Sequence, residues 1–167
     1  MGKEKIKTLD ELKVICQTLR HKGKRIATTN GVYDILHPGH LKVFNKARRL
    51  GEVVIVGVNS DTSVKAYKGK WRPVVNQDDR ALILSALEVI DYVTIFNEPD
   101  PRQFINIVKP AFHVKSSSGY KGIEGDAVNK WGGVVVTVQD LKGYSSTDIM
   151  DKITKTRYHE IGQEDFE

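Results

Sequence analysis

Residues 53–58, which read VVIVGV, constrain the fold of this chain more than any other stretch. Five of the six residues are Val or Ile, and no polar side chain interrupts them. An unbroken β-branched run is typical of a strand that is buried on both faces. Such strands occur in parallel sheets that helices cover on either side. The run therefore predicts a central strand in an α/β fold.

Strand and helix patterns alternate along the rest of the chain. Thr8 and Glu11 form a capping-box signature that opens an amphipathic helix over about residues 8–21. Further strands are predicted at 24–29, 91–96, 111–115 and 134–138, and further helices at 38–50, 76–87, 101–109, 123–131 and 146–153. This alternation predicts parallel pairing through right-handed crossovers. We expect a five-stranded parallel sheet with helices on both faces, in a single domain over residues 1–167 with a loosely packed tail over about 154–167.

The composition narrows the class of partner. The formal net charge is +5, and much of the positive charge lies in one window, at Lys65, Lys68, Lys70, Arg72 and Arg80. Basic and aromatic residues do not interleave as they do in RNA-binding proteins, so a localised phosphate site is favoured over nucleic acid. No apolar run approaches the roughly 20 residues of a membrane span. We therefore expect no membrane partner and a cytoplasmic location.

The segment TTNGVYDILHPGHL carries the strongest chemical signal. A loop that begins at Asn30 and Gly31 is predicted to end at His37, and Pro38 favours the first turn of a helix. His37 and His40 would then share one helix face, with their Cβ atoms roughly 5–6 Å apart. The amino end of a helix favours anions through its free N–H groups and its dipole. The segment therefore predicts a phosphate site in which imidazoles take part in the chemistry.

The histidine pair has two alternative interpretations that involve no phosphate: a zinc site, or local capping and packing. His-x-x-His could be half of a zinc site, but structural zinc needs four Cys or His ligands. The chain offers only one cysteine and three scattered histidines besides the pair: Cys16, His21, His113 and His159. The two histidines could also do no more than cap the helix and pack locally.

Several loops are predicted to converge on the same place. In open α/β sheets, ligands bind beyond the carboxyl ends of the strands, where the strand order reverses. The loops that follow the predicted strands carry the histidine pair, the segment Asn59-Ser60-Asp61, the small-residue segment 115–119 and a Ser-Thr cluster at 145–147. One edge of the sheet is therefore the expected binding site.

The motifs together resemble a known superfamily. They are TNGVYDILHPGH, VNSDTSVKAYKGKWRPV, DDRALILSALEVIDYVTIF and GYSSTDIM, and the resemblance covers roughly residues 5–153. The chain resembles the nucleotidyltransferases marked by His-x-Gly-His and a later Ser-Thr-rich helix start. Within that superfamily it is most similar to the heptose 1-phosphate adenylyltransferases of ADP-heptose synthesis. The resemblance implies a Rossmann-like fold and transfer of AMP from ATP to a sugar phosphate, with D-glycero-D-manno-heptose 1-phosphate as the expected acceptor.

The resemblance also implies roles for particular residues. His37, His40 and Lys68 would be catalytic, with the histidines on phosphate oxygens and Lys68 between acceptor and triphosphate. The residues implied in nucleotide binding are both histidines, Thr29, Asn30, Gly31, Val32, Tyr33, Lys65, Arg80, Ser145, Ser146 and Thr147. Asp34, Lys68 and Lys115 would bind the acceptor, although Asp34 could equally hold a histidine tautomer. Mg²⁺ is expected on the phosphates, with no metal site made of protein ligands.

The chain departs from the family pattern at two loops. Residues 115–120 read KSSSGY, with one residue more than the usual Lys-Gly-Gly-Asp-Tyr and without its Asp. The Arg that often follows the Ser-Thr pair is absent, so triphosphate neutralisation is expected to depend on Lys65, Lys68 and Arg80. Asp140 stands where glycerol-phosphate cytidylyltransferases place an Arg, which counts against that substrate.

Rival interpretations remain at the level of sequence. The lysines could lie in a solvated loop, and the Ser-Thr cluster could be a plain helix cap. A cytidylyltransferase acting on glycerol 3-phosphate, or on another small phosphate, is the alternative enzyme. A non-catalytic module that senses nucleotides or binds nucleic acid is the alternative outside enzymes. A homodimer is compatible with the sequence but is not specified by it.

Overall fold

Five parallel strands form the centre of the computed structural model, which describes residues 2–160. The strands are β1 (Ile26–Gly31), β2 (Val53–Asn59), β3 (Tyr92–Phe96), β4 (Phe112–Ser116) and β5 (Val134–Val138). The helices are α1 (Leu9–His21), α2 (Pro38–Leu50), α3 (Asp61–Lys68), α4 (Gln77–Ser85), α5 (Arg102–Val108), α6 (Ile123–Asn129) and α7 (Ser146–Glu160). The strand order is β3-β2-β1-β4-β5. The predicted five-stranded parallel sheet is confirmed.

Helices cover both faces of this sheet. On one face, α2 and α4 bury Phe44, Ala47 and Leu84. On the other face, α1, α5 and α6 form a second core that includes Leu12 and Phe104. The second strand supplies residues to both cores, as its unbroken β-branched run predicts.

The order of the strands places a crevice beside β1. From β1 the chain proceeds outward through β2 and β3, and then crosses back to add β4 and β5 on the other side. A ligand site is expected outside the carboxyl ends of the strands at such a reversal, which here lies between β1 and β4. The histidine segment follows β1 directly, so the topology brings it to this edge.

Three predicted boundaries are wrong. Asn30 and Gly31 do not begin a loop, because they continue β1 and pair with Gly57 and Val58 of β2. The basic segment 65–75 is predicted from the sequence as a loop, but Lys65 and Lys68 lie in the last turn of α3. The final helix runs on to Glu160 instead of ending near residue 153. The predicted loose tail is therefore helical over 154–160, and its remainder lies outside the described residues.

The capping box at the start of α1 is confirmed. The Thr8 side chain accepts a hydrogen bond from the Glu11 N–H, and the Glu11 carboxylate accepts one from the Thr8 N–H. This arrangement satisfies two donors that the first helical turn would otherwise leave free. Among residues 2–160, no helix combines the length and the apolar character needed to cross a membrane.

Candidate active site

A cavity of about 300 Å³ opens at the carboxyl ends of β1 and β4. The predicted site residues that line it are Thr29, Asn30, Gly31, Tyr33, His37, His40, Lys68, Lys115, Ser145, Ser146 and Thr147. Four further predicted site residues do not line it: Val32, Asp34, Lys65 and Arg80. The topology therefore collects most of the predicted site from five separate segments of the chain.

The two histidines stack at the start of α2. His37 is the residue before the helix, in an extended conformation (φ −147°, ψ 165°), and Pro38 occupies the first turn. The centroids of the two imidazole rings are 3.8 Å apart, and the ring planes differ by 28°. The Nδ1 atom of each ring is buried and has no hydrogen-bond partner among the described residues. The His37 side chain does not cap the helix, so a capping role does not account for it.

Two small residues allow the rings to take these positions. A Cβ on Gly39 would lie 2.9 Å from Nδ1 and Cε1 of His37, closer than side-chain atoms pack. A Cβ on Gly31 would lie 3.1 Å from the Tyr33 ring, which in turn meets His40 edge-on at 5.2 Å. Tyr33 itself has φ +54°, a left-handed conformation that is uncommon for a bulky residue. Each glycine thus leaves space for the ring beside it.

The environment keeps both imidazoles neutral near pH 7. Burial lowers the pKa of His40 to about 4, and the charge of Lys68, together with that of His37 when its ring is protonated, acts in the same direction. Burial also lowers the pKa of His37, against the opposing charge of Asp148. A neutral imidazole has one N–H donor and one acceptor nitrogen. Each ring can therefore donate one hydrogen bond to an anion.

Lys68 is the lysine of α3 that lines the cavity. Lys68 is the last residue of this helix, and Gly69, which has φ +89°, is the cap that follows it. Partial burial lowers the pKa of the Lys68 ammonium, the charge of Arg72 lowers it further, and Asp34 opposes both. Lys65, one turn earlier on the same helix, does not line the cavity. The structure thus separates two lysines that the sequence had grouped together.

Asp34 fixes a loop and does not line the cavity. Its Oδ1 accepts hydrogen bonds from the N–H groups of Val74 and Val75 at 2.8 and 2.9 Å. Its Oδ2 lies 3.3 Å from Nε of Arg72. None of these contacts of the Asp34 carboxylate is with a histidine. Neither role suggested by the sequence, acceptor binding or tautomer control, matches these contacts.

Arg80 is a structural residue in this fold, contrary to the sequence-based expectation. Its guanidinium is buried and donates to the carbonyl oxygens of Val32, Asn59 and Val75. It also donates to Oδ1 of Asp61 at 2.6 Å. These contacts join the segments that follow β1 and β2 to the start of α4. Val32 likewise contributes its carbonyl to this network and not to the cavity.

Lys115 lines the cavity from the end of β4, but its ammonium group is already bonded. The Nζ atom donates to the carbonyl oxygen and to Oδ1 of Asn30 at 3.0 and 3.1 Å. It also lies 3.5 Å from Oε1 of the buried Glu124. Burial lowers the pKa of Lys115, and the charge of Glu124 opposes that shift. Lys115 therefore orients the Asn30 side of the cavity.

The Ser-Thr cluster both caps α7 and lines the cavity. Ser145 Oγ accepts a hydrogen bond from the Asp148 N–H at 3.0 Å, as a helix cap does. Ser146 Oγ donates to the carbonyl oxygen of Ile35 at 3.2 Å, and Thr147 is exposed. The first turn of α7 thus faces the same cavity as the histidines. The cluster is a helix cap and a part of the cavity wall at once.

Some cavity residues were not predicted individually. Arg72 and Asp140 were not among the predicted site residues, and Ser116, Ser118 and Gly119 were predicted only as part of the segment 115–119. Asp140 accepts hydrogen bonds from the N–H and Oγ of Ser118 at 2.8 and 3.0 Å, which joins the loops after β4 and β5. In the sequence, each of these residues lies just after a predicted strand or within the basic window. That position was the feature from which a place in the cavity could have been predicted.

The described residues do not supply a zinc site. Among residues 2–160, no group of three or more His, Cys, Asp or Glu side chains is arranged to hold a metal ion. His113, one of the histidines considered as a further ligand, is fully buried in β4 with Nδ1 2.8 Å from Thr28 Oγ1. The cavity lining is instead rich in hydroxyls, N–H donors and cations, which suit an anion.

Comparison with known proteins decides the family. The family model described as cytidylyltransferase-like matches residues 28–153, from β1 into the first half of α7. This chain belongs to that family. It is accordingly a nucleotidyltransferase by family, which favours an enzyme over a non-catalytic module.

The nucleotidyltransferase is similar to several curated proteins. It is 44% identical to the bifunctional protein HldE of Geobacter metallireducens over 153 residues, which are 90% of this chain and 31% of that protein. It is 47% identical over 152 residues to HldE of Nitratiruptor sp., with 90% and 32% covered. The chain thus spans less than a third of the length of these relatives.

Solved structures share the Rossmann-like fold of the nucleotidyltransferase. The lipopolysaccharide core biosynthesis protein of Thermoplasma volcanium matches with a TM-score of 0.59 and 28% identity, covering 74% of this chain and 100% of that one. Pantoate-beta-alanine ligase of Francisella tularensis, in complex with beta-gamma ATP and beta-alanine, matches with a TM-score of 0.62. Its identity is 16%, with 96% of this chain and 80% of that chain covered, so this likeness concerns the fold alone.

Proposed function

We propose that this nucleotidyltransferase transfers AMP from ATP to D-glycero-D-manno-heptose 1-phosphate, giving ADP-heptose and pyrophosphate. The observation that carries the proposal is the convergence of the stacked histidines, Lys68 and the first turn of α7 on one cavity. ATP and heptose 1-phosphate are favoured by the motifs shared with the heptose adenylyltransferases and by the HldE relatives.

The reaction needs no nucleophile from the protein. An oxygen of the acceptor phosphate attacks the α-phosphorus of ATP and forms the new phosphorus–oxygen bond. The bond from the α-phosphorus to the oxygen that bridges to the β-phosphorus breaks, and pyrophosphate leaves with that electron pair. Positioning and charge stabilisation therefore supply most of the catalysis.

The neutral histidines would act as hydrogen-bond donors to the α- and β-phosphates. Negative charge shifts toward the leaving pyrophosphate during the reaction, so a donor aimed there binds the transition state more strongly than the ground state. Preorganised donors of this kind contribute about 10²–10³ in rate in other enzymes. The stacking of His37 on His40 keeps both rings in place before the substrate arrives.

Lys68 and α7 would bring the two anionic substrates together. The acceptor and the triphosphate repel each other, and the Lys68 ammonium at the cavity wall would reduce that repulsion. The amino end of α7 is capped by Ser145 and would direct its remaining N–H groups and its dipole toward the outer phosphates. Mg²⁺ would bind the phosphate oxygens and neutralise part of their charge, since it prefers oxygen ligands and retains several waters.

A substrate panel tests this proposal. Pyrophosphate release is measured for ATP, CTP, GTP and UTP, each paired with heptose 1-phosphate, glycerol 3-phosphate and flavin mononucleotide. We expect ATP with heptose 1-phosphate to give the highest kcat/KM. The cytidylyltransferase-like description of the family supports CTP as the nucleotide of a second candidate, in which CTP with glycerol 3-phosphate ranks first. That ranking would replace our proposal, and no release with any pair would refute it.

A further inference from the structure

Arg72 is a cavity-lining arginine whose donors are poorly matched by the protein. Its side chain is 18% exposed, and it lines the same cavity as the histidines. Its Nε is buried 3.3 Å from Asp34 Oδ2 without forming a hydrogen bond. Its Nη1 contacts Sδ of Met150 on α7, and a thioether is a weak acceptor. A guanidinium has five N–H donors, so apart from the ion pair with Asp34 most donors of Arg72 have no strong acceptor among the described residues.

Cations outnumber carboxylates at the cavity wall. Lys68, Arg72 and Lys115 line the cavity, against one carboxylate, that of Asp140. Asp34 lies behind Arg72, with Oδ1 on the N–H groups of Val74 and Val75 and Oδ2 toward the guanidinium. An anion between Lys68 and Arg72 would relieve the repulsion between these two cations. The cavity wall around Arg72 therefore suits a negatively charged ligand.

Arg72 enters the cavity from a different segment of the chain than the groups proposed to hold the triphosphate. It follows α3 and Lys68, whereas the histidines lie at the start of α2 and the Ser-Thr cluster lies at the start of α7. If the histidines and α7 hold the triphosphate, a phosphate bound by Arg72 is assigned to the second substrate.

We propose that Arg72 binds the phosphate monoester of the acceptor through the fork of its guanidinium group. Two phosphate oxygens would take the place of the Met150 sulfur, while Asp34 keeps the side chain at the cavity wall. A planar guanidinium suits this task because it can bind two oxygens of one phosphate at once. The assignment of the acceptor, but not that of a phosphate, rests on the proposed function.

Kinetics of matched variants test the assignment to the acceptor. We expect Arg72→Gln to raise KM for the acceptor about 10- to 100-fold while KM for the triphosphate changes less than about threefold. Arg72→Lys keeps the charge but loses the fork, so an intermediate increase is expected. Lys70→Gln is the control, since Lys70 carries the same charge nearby but lies 4.8 Å over the Trp71 ring and outside the cavity lining. Met150→Leu should not weaken acceptor binding, because the ligand displaces the sulfur.

An unchanged acceptor KM in Arg72→Gln, or an equal rise for both substrates, would overturn the proposal. Thermal unfolding of each variant separates a folding defect from a binding defect. Arg72→Lys keeps the ion pair with Asp34, and it therefore remains informative if Arg72→Gln unfolds.

A binding measurement decides the phosphate contact without turnover. The ¹H–¹⁵N signal of Arg72 Nε is followed while inorganic phosphate is titrated into wild-type protein that holds a non-hydrolysable ATP analogue. We expect a saturable shift of this signal in wild type, and weaker phosphate binding in Arg72→Gln than in Lys70→Gln. No shift would refute the role of Arg72 even if the enzyme is active. A shift in a protein that turns over no substrate pair would refute the proposed function alone.

Discussion

Arg80 and Arg72 lie eight residues apart, yet they occupy opposite kinds of environment. The Arg80 guanidinium is buried, and three carbonyl oxygens and the Asp61 carboxylate accept its donors. Arg72 faces the cavity, where a thioether and one poorly aligned carboxylate oxygen are its partners. A buried cation that makes four hydrogen bonds to the protein holds protein segments together. A cation at a cavity wall whose N–H donors lack protein acceptors can bind a ligand.

The histidines differ in burial and position. His113 is fully buried within the sheet, where Nδ1 is bonded to Thr28 and Nε2 has no partner among the described residues. His37 and His40 are half-buried at the cavity, stacked on each other, with both Nδ1 atoms unpartnered among the described residues. Chemical identity alone does not separate the structural histidine from the functional pair. Their placement relative to the carboxyl ends of the strands does.

The strongest test of the contrast is the loss of Arg80. Arg80→Met leaves three carbonyl oxygens and Asp61 without their donor, so we expect the free energy of unfolding to fall by about 3–5 kcal/mol. Arg72→Gln should lower it by less, about 1–2 kcal/mol, because it leaves one oxygen of the buried Asp34 carboxylate without its cation. Denaturant unfolding monitored by circular dichroism measures both variants. Equal losses would mean that the two arginines are equally structural.

The next largest effect is expected at the histidine pair. His40→Ala removes a donor that serves the transition state, so kcat should fall at least about 100-fold while the protein stays folded. His21→Ala is the matched control, because His21 is exposed at the end of α1. Steady-state pyrophosphate release gives the comparison. Turnover within threefold of wild type in His40→Ala would remove the histidine from the mechanism.

The two lysines of α3 sharpen the comparison within a single helix. Lys68→Ala should lower kcat/KM about 10- to 100-fold, because Lys68 lines the cavity and would bridge two anions. Lys65→Ala should stay within about threefold, since Lys65 is exposed outside the cavity lining. Both changes remove one charge from the same helix. Equal losses would indicate that only the overall field of the helix matters.

The smallest effect concerns the buried histidine of the sheet and its dependence on pH. Burial lowers the pKa of His113 to about 3, so the native state keeps the ring neutral while the unfolded chain takes up a proton below about pH 6.5. The contribution of His113 to the free energy of unfolding is therefore fully present above pH 6.5 and is lost as the pH falls toward 3.

Between pH 6.5 and 5, wild type should lose about 1–2 kcal/mol more than His113→Asn, as measured by denaturant unfolding at each pH. His113→Asn cannot titrate in this range and serves as the reference. Parallel pH profiles for the two proteins would contradict the assignment of a neutral, buried ring.

Much of the architecture could be predicted from local patterns. The β-branched run of β2, the capping box of α1 and Pro38 at the start of α2 each specify an element through short-range effects. The error at the end of β1 came from pairing across the sheet. Asn30 and Gly31 favour turns by propensity, but the partners offered by β2 keep them in the strand.

The amino-acid sequence by itself determined the alternation of strands and helices, the histidine pair at a helix start and the family to which the chain is similar. These features are encoded by residues close together in the chain. Only the tertiary structure decided which cations face the cavity, because Arg72 and Arg80 differ in the partners that distant segments bring to them. Desolvation and the supply of hydrogen-bond acceptors are properties of the packed molecule, and they separate residues that hold the fold from residues free to meet a ligand.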